Sequence, residues 1–352
     1  GRRQTLYIVS TNVERFIQYY IFPAQFVMGL VGNSINLLVL LSSSMRTEAN
    51  LLLAAMALAD IGLFLSQACF AVTVYQPVYS NNTFRAFFFT FRQNINAVTN
   101  FFSASTSWFI LAVSLERYMG IRSPLHTRNG ETNSRVVTLI CLIFVGSFLV
   151  TSFHHFEYET GFYWNNNHTF VYPVFNDVSE QAAQSSEMPF QISPQLRMKG
   201  VFVDIGKTIS IFVVVLIPQI AIAFFNISII RVLRSRNLSV IRFDANGRDN
   251  RDFLRQRQER KVTATVVAII TCFSITTIPS AIPFMHELIM RHIFDINVFA
   301  DKSRDYRPYY YMAIPVITSW TLTGKVMNFV LFCMLSAHFR RRLKELITGV
   351  CK

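Results

Sequence analysis

Charge is what this sequence has least of. Only 15% of its 352 residues are Asp, Glu, Lys or Arg, against roughly 25% in soluble domains. Hydrophobic residues make up 52%, with 34 Phe among them. A soluble chain of this length would need a more polar surface, so the composition points to lipid as the solvent. Cysteine is scarce too. Four of the five, Cys69, Cys141, Cys272 and Cys333, fall inside apolar windows, Cys351 lies at the C-terminus, and no paired spacing suits a metal. G-x-S-x-G, Walker and H-E-x-x-H motifs are missing, which removes the serine hydrolase, nucleotide hydrolysis and zinc peptidase chemistries that need them. His154 and His155 are adjacent and would project apart on a helix rather than converge on a metal. Neither catalysis nor a cofactor is expected.

What is present is seven apolar windows, at 22–41, 51–75, 93–115, 136–156, 208–230, 262–285 and 309–335. Each has the roughly 20 residues that carry a helix across a bilayer. They are too long for barrel strands, and in lipid the backbone must satisfy itself within the element, so helices are expected. The first is not a signal peptide, being long, without a small-residue cleavage pattern and followed at once by another window. Gly1 is not an initiator Met, so more chain is expected ahead of it. The fold class is an all-α membrane protein, one seven-helix domain over 1–352 with a short amphipathic inner helix at about 337–348.

Charge sets the orientation. With the N-terminus outside, the inner segments carry 20 Lys and Arg against 8 Asp and Glu, and the outer segments 11 of each. This is the positive-inside bias, so the formal net charge of +13 reads as topology and contact with anionic lipid rather than nucleic-acid binding. The sequons at Asn81 and Asn167 fall in outer segments, where glycans are added. A third, at Asn237, falls inside.

The stretch 114–125, SLERYMGIRSPL, closes the third window with Glu116, Arg117 and Tyr118, and Pro124 and Leu125 follow. It resembles the cytoplasmic end of the third helix of rhodopsin-like G-protein-coupled receptors. The resemblance extends from Gly32 to Phe339 through Gly32-Asn33, Leu58-Ala59-Asp60, the kink proline Pro218, Phe273 and Pro279, Asn328 and Phe339. The stretches 45–60 and 114–126 look most like nematode and other invertebrate peptide receptors of the FMRFamide type. Several family landmarks are replaced. The disulfide position on the third helix is Arg92, and the outer segment 157–206 has no Cys; the sixth-helix Trp is Thr277, the fifth-helix Tyr is Asn226, and Asn-Pro-x-x-Tyr reads Asn328-Phe329-Val330-Leu331-Phe332. The divergence therefore falls on the switch residues.

The resemblance implies a receptor of the plasma membrane that binds an extracellular ligand, a neuropeptide or a small apolar odorant, and activates a heterotrimeric G protein. By matching positions its outer pocket would use Thr99, Asn100, Ser103, Lys207, Phe284, His286, Glu287 and Thr318. Coupling and switching would use Glu116, Arg117, Tyr118, Pro124, Leu125, Glu259, Asn328 and Phe332, with Glu259 facing Arg117 and Leu125 inserting into the G protein. Cys351 would be palmitoylated after the basic segment 339–347. Inside the bundle Asn33 would face Asp60, the family acid beside which sodium often binds, with Thr106 assisting. Lys325 lies three residues before Asn328, hence on the same face, and is expected to take the place of sodium and pair with Asp60, because an unpaired charge in the bilayer is costly. A retinal-binding opsin would carry its lysine six residues before that Asn, where Leu322 stands. A transporter is the rival class, but neither half of the chain repeats the other.

Overall fold

In the computed structural model of the chain, the described residues are 11–122, 132–164, 171–177, 194–243 and 307–349, with positions 268, 270–272, 274–280, 282, 285, 286 and 289 of the sixth window. Among them, six helices are long and apolar enough to cross a membrane. Helix α1 spans Asn12–Leu40, α2 Glu48–Val74, α3 Asn82–Arg122 and α4 Ser134–Phe156. Helix α5 consists of Pro194–Ser210, a π-helical turn Ile211–Leu216 and Ile217–Phe243. Helix α6 is described over the apolar stretch Ile270–Ser280. Helix α7 spans Arg307–Leu335 and α8 Ala337–Ile347.

Two helices start well before their apolar windows. Helix α1 begins ten residues ahead of position 22 and α3 eleven ahead of position 93, because a helix persists into water wherever its ends are capped. Thr11 Oγ1 accepts from Glu14 N at 3.1 Å, and Asn81 Oδ1 accepts from Phe84 N at 3.1 Å. Pro218 comes two residues after the end of the π turn; a proline withholds one donor and crowds the preceding turn, and the widened turn absorbs the mismatch. Helix α7 has its proline at Pro315 and runs unbroken through Asn328–Phe332.

Helix α3 is the central element, packed on α2, α4 and α5, while α7 and α8 pack on α1. The inner half of the core unites Leu52, Leu53 and Met56 of α2 with Phe109, Ile110 and Val113 of α3, Ile222 of α5 and Phe332 and Phe339 at the α7–α8 corner. Gln25 of α1 ties to α7 by donating to Ser319 and Thr323 at 2.9–3.1 Å. On α8, Phe339 is buried whereas Arg340, Arg341 and Ile347 are exposed, and Ser336 caps its first turn.

The segment after α4 departs from the all-α expectation. Strands β1, Tyr158–Trp164, and β2, Val171–Asp177, pair antiparallel with Tyr158 opposite Asp177 and Trp164 opposite Val171. Aromatic and β-branched residues occur in both, as a pleated hairpin favours.

Candidate functional site

Helices α2, α3, α4, α5, α6 and α7, with Glu157 just beyond α4, line a cavity of about 260 Å³. Its 24 lining residues include ten Ser or Thr and a single Phe, Phe153. Of the pocket residues expected from sequence, Thr99, Asn100, Ser103, Lys207 and Thr318 line it. Thr99 Oγ1 donates to Ser66 Oγ at 3.0 Å, and Asn100 Nδ2 to the Asn96 carbonyl at 3.0 Å. His286 lies on α6, half-buried, outside the lining set; Phe284 and Glu287 lie outside the described residues.

One wall is a charged cluster. Lys207 Nζ is 3.1 Å from Glu157 Oε1, and His154 Nδ1 is 3.0 Å from Glu157 Oε2. Gly206 precedes Lys207 because Phe153 packs where a Cβ would sit, within 2.5 Å. Burial alone would push the Glu157 carboxyl up, but the His154 hydrogen bond and the Lys207 ammonium outweigh it and hold the pKa at about 2. The two histidines do point apart: His155 Nδ1 meets Asn94 Oδ1 at 2.9 Å. Gln93 Nε2 also donates to the His154 carbonyl. Glu157 and His154 were absent from the residues expected at the site, and the signal that could have found Glu157 is its place as the first charge after the fourth window.

The floor carries the two intramembrane charges. Lys325 lines the cavity, and its Nζ lies 2.5 Å from Asp60 Oδ1, which also accepts from Thr106 Oγ1 at 3.0 Å. Asn33 does not join them. Its amide donates to the Gly29 carbonyl of its own helix at 2.9 Å, a bond available one turn back without any interhelical fit. Asn328 is fully buried, with neither amide atom hydrogen-bonded.

At the C-terminal end of α3, Arg117 Nε stands 3.6 Å from Glu116 Oε2, an ion-pair distance rather than a hydrogen bond. Tyr118 packs against Phe225 of α5, ring centroids 5.5 Å apart, and accepts from Arg122 at 2.8 Å. Phe332 stacks on Phe339 at 5.3 Å and 24°, and Arg340 donates to the Cys333 and Met334 carbonyls that end α7. Pro124, Leu125, Glu259, Asn167 and Cys351 lie outside the described residues. Asn81 is exposed at the head of α3.

Sequence comparisons agree with this architecture. The profile of the 7 transmembrane receptor (rhodopsin family) matches residues 32–321. The Caenorhabditis elegans G-protein coupled receptor F59B2.13 is 30% identical over 97% of this chain and 75% of its own length. Sex peptide receptor-related protein 2 of the same organism is 24% identical over 95% and 72%. Human cholecystokinin receptor type A is 29% identical over 47% and 39%.

Proposed function

The chain belongs to the rhodopsin family of seven transmembrane receptors, and from that premise we propose that it is a plasma-membrane receptor for an extracellular peptide, signalling through a heterotrimeric G protein. As a member of that family it is a multi-pass receptor and not an enzyme. In the proposed arrangement the N-terminus is outside, the sixth window completes seven spans, and α8 lies along the inner leaflet with its arginines toward anionic headgroups.

One observation favours a peptide over an apolar odorant. Ten hydroxyl side chains, two ammonium groups and one carboxylate line the cavity beside six aliphatic side chains and one phenyl ring. Six of those hydroxyls already donate to backbone carbonyls of their own helices, which leaves their oxygens free to accept from the N–H groups that a peptide carries and an apolar odorant does not. Relatives in the comparison include receptors named for cholecystokinin and for galanin, both peptides. At about 260 Å³ the cavity is at the small end of ligand pockets, which run from roughly 300 Å³. It takes the tip of a peptide, with the rest lying over the hairpin. Thr99, Asn100, Ser103, Thr318 and the Lys207–Glu157 pair orient that tip.

The test is nucleotide exchange on co-expressed G proteins of each class, driven by parallel panels of neuropeptides and odorants. Exchange stimulated by a peptide supports the reading. Stimulation by apolar odorants alone overturns the ligand class. Sustained solute flux in liposomes without any exchange makes the chain a transporter.

A further inference from the structure

Helix α6 is fastened to both neighbours at one level, the cavity floor. From α5, Gln219 Nε2 donates to Thr277 Oγ1 at 2.8 Å. From α7, Thr321 Oγ1 donates to the Thr276 carbonyl at 3.3 Å. Gly324 brings α7 so close to Thr276 that a Cβ there would fall 2.1 Å from the hydroxyl. The α6–α7 seam is thus a close approach of the α7 backbone to Thr276, whereas the α5–α6 seam at this level includes a side-chain bond.

That bond has two properties suited to a trigger. Gln219, Thr277, Thr321 and Lys325 all line the cavity, so a bound molecule reaches the bond directly. The far end of the same amide is unspent: Gln219 Oε1 is buried and has no hydrogen-bond partner. A buried amide with one end bonded and the other bare is poised to exchange partners. Pro218 comes immediately before Gln219, and the π turn Ile211–Leu216 ends two residues earlier than Pro218; both loosen the i to i−4 ladder and ease a small rotation of α5.

We propose that Gln219 is the positioning residue of the switch: its hydrogen bond to Thr277 holds α6 against α5 while the cavity is empty, and a ligand polar group that claims the amide releases α6. This rests on the receptor reading above and supplies its regulation. A neutral hydrogen bond of this kind biases an equilibrium without locking it, so its loss should raise the released population about fivefold.

The experiment follows the interhelical distance and the signalling separately. Spin labels at Arg231→Cys on α5 and Ala268→Cys on α6, in the full chain with its native cysteines replaced, report separation without any G protein. Basal exchange is measured in the unlabelled chain. Gln219→Met and Thr277→Val should each populate a longer distance and raise ligand-free exchange about fivefold, and the double variant should do no more than either single. The exchanged pair, Gln219→Thr with Thr277→Gln, should restore the wild-type distance and basal rate, which a merely structural contribution would not do. Gln219→Asn, a milder change that only withdraws the amide by one methylene, should lie between. Unchanged distances in the single variants, additive effects, or a Gln219→Asn variant indistinguishable from wild type would overturn the proposal. Longer distances without exchange on any G protein would leave the fastening in place and instead remove the receptor reading.

Discussion

Asp60 and Lys325 are 0% and 2% exposed, and each would be expensive alone in the middle of a bilayer. Insertion scales put a single central charge at about 2.5 to 3.5 kcal/mol. The 2.5 Å contact between them resolves both costs at once, and Thr106 adds a third hydrogen-bonding group. Removing one partner strands the other, typically at about 3 to 5 kcal/mol. Asp60→Ala and Lys325→Ala should therefore each lower surface expression and the thermal midpoint of the solubilised receptor. The double variant should lose clearly less than the sum, because the second substitution removes the charge that the first left stranded. Additive losses would separate the two residues energetically. A companion prediction follows from occupancy. With an ammonium already against Asp60, agonist affinity should not change when sodium is replaced by a large organic cation at constant ionic strength. In Lys325→Ala a sodium dependence should emerge, and its presence already in wild type would show that the ammonium does not hold that place.

Among elements, the hairpin after α4 has to be anchored without the disulfide usual in its family, since Arg92 stands at the matching helix position and 157–206 contains no Cys. Polar ties at its base take over. Gln93 holds the His154 carbonyl, Asn94 holds His155, and Glu157 is clasped by Lys207 and His154. These bonds join α3 and α5 to the turn from which β1 departs. Unlike a disulfide they respond to acid. The Glu157 carboxyl, with a folded pKa of about 2 against 4.5 for the free group, lies on the depressed side. Its contribution to stability is therefore complete above about pH 4.5 and is lost as the pH falls toward about 2. Thermal midpoints of wild type and Glu157→Gln should differ by a constant amount from about pH 7 to 5 and converge below about 4.5. A difference that already shrinks between pH 7 and 5 would mean that Glu157 is not held ionised by this cluster.

For the whole molecule, the six spans found among the described residues were legible because they depend only on length and composition: about twenty apolar residues read as a bilayer crossing whatever they touch. Spacing along one helix carried the Lys325 expectation, with Lys325 and Asn328 on one face and Asp60 the only other intramembrane charge available. Contacts that depend on how helices rotate against each other were not legible, and Gln219–Thr277 and the withdrawal of Asn33 to Gly29 are of that kind. The hairpin was hidden because two short aromatic strands in a polar outer segment carry no signal as strong as a span. The inner face, read from motif positions, gives the last prediction. Leu125 follows the proline that ends the third-helix signature, in a segment whose charges are Arg122, Arg128, Glu131 and Arg135, and the family resemblance assigns it to the contact with the G protein. Coupling between the two faces is reciprocal: if agonist raises affinity for the G protein, the G protein raises affinity for agonist by the same factor, commonly about 5- to 150-fold. Leu125→Asp places a charge in that contact. It should abolish agonist-stimulated exchange and erase the affinity gained on adding G protein, while agonist affinity in the uncoupled receptor stays at the wild-type value. Glu259→Ala should act in the opposite sense, raising ligand-free exchange by freeing Arg117 from a partly exposed pair worth about 1 kcal/mol or less. Full exchange by Leu125→Asp at matched expression would place the docking contact elsewhere on the inner face.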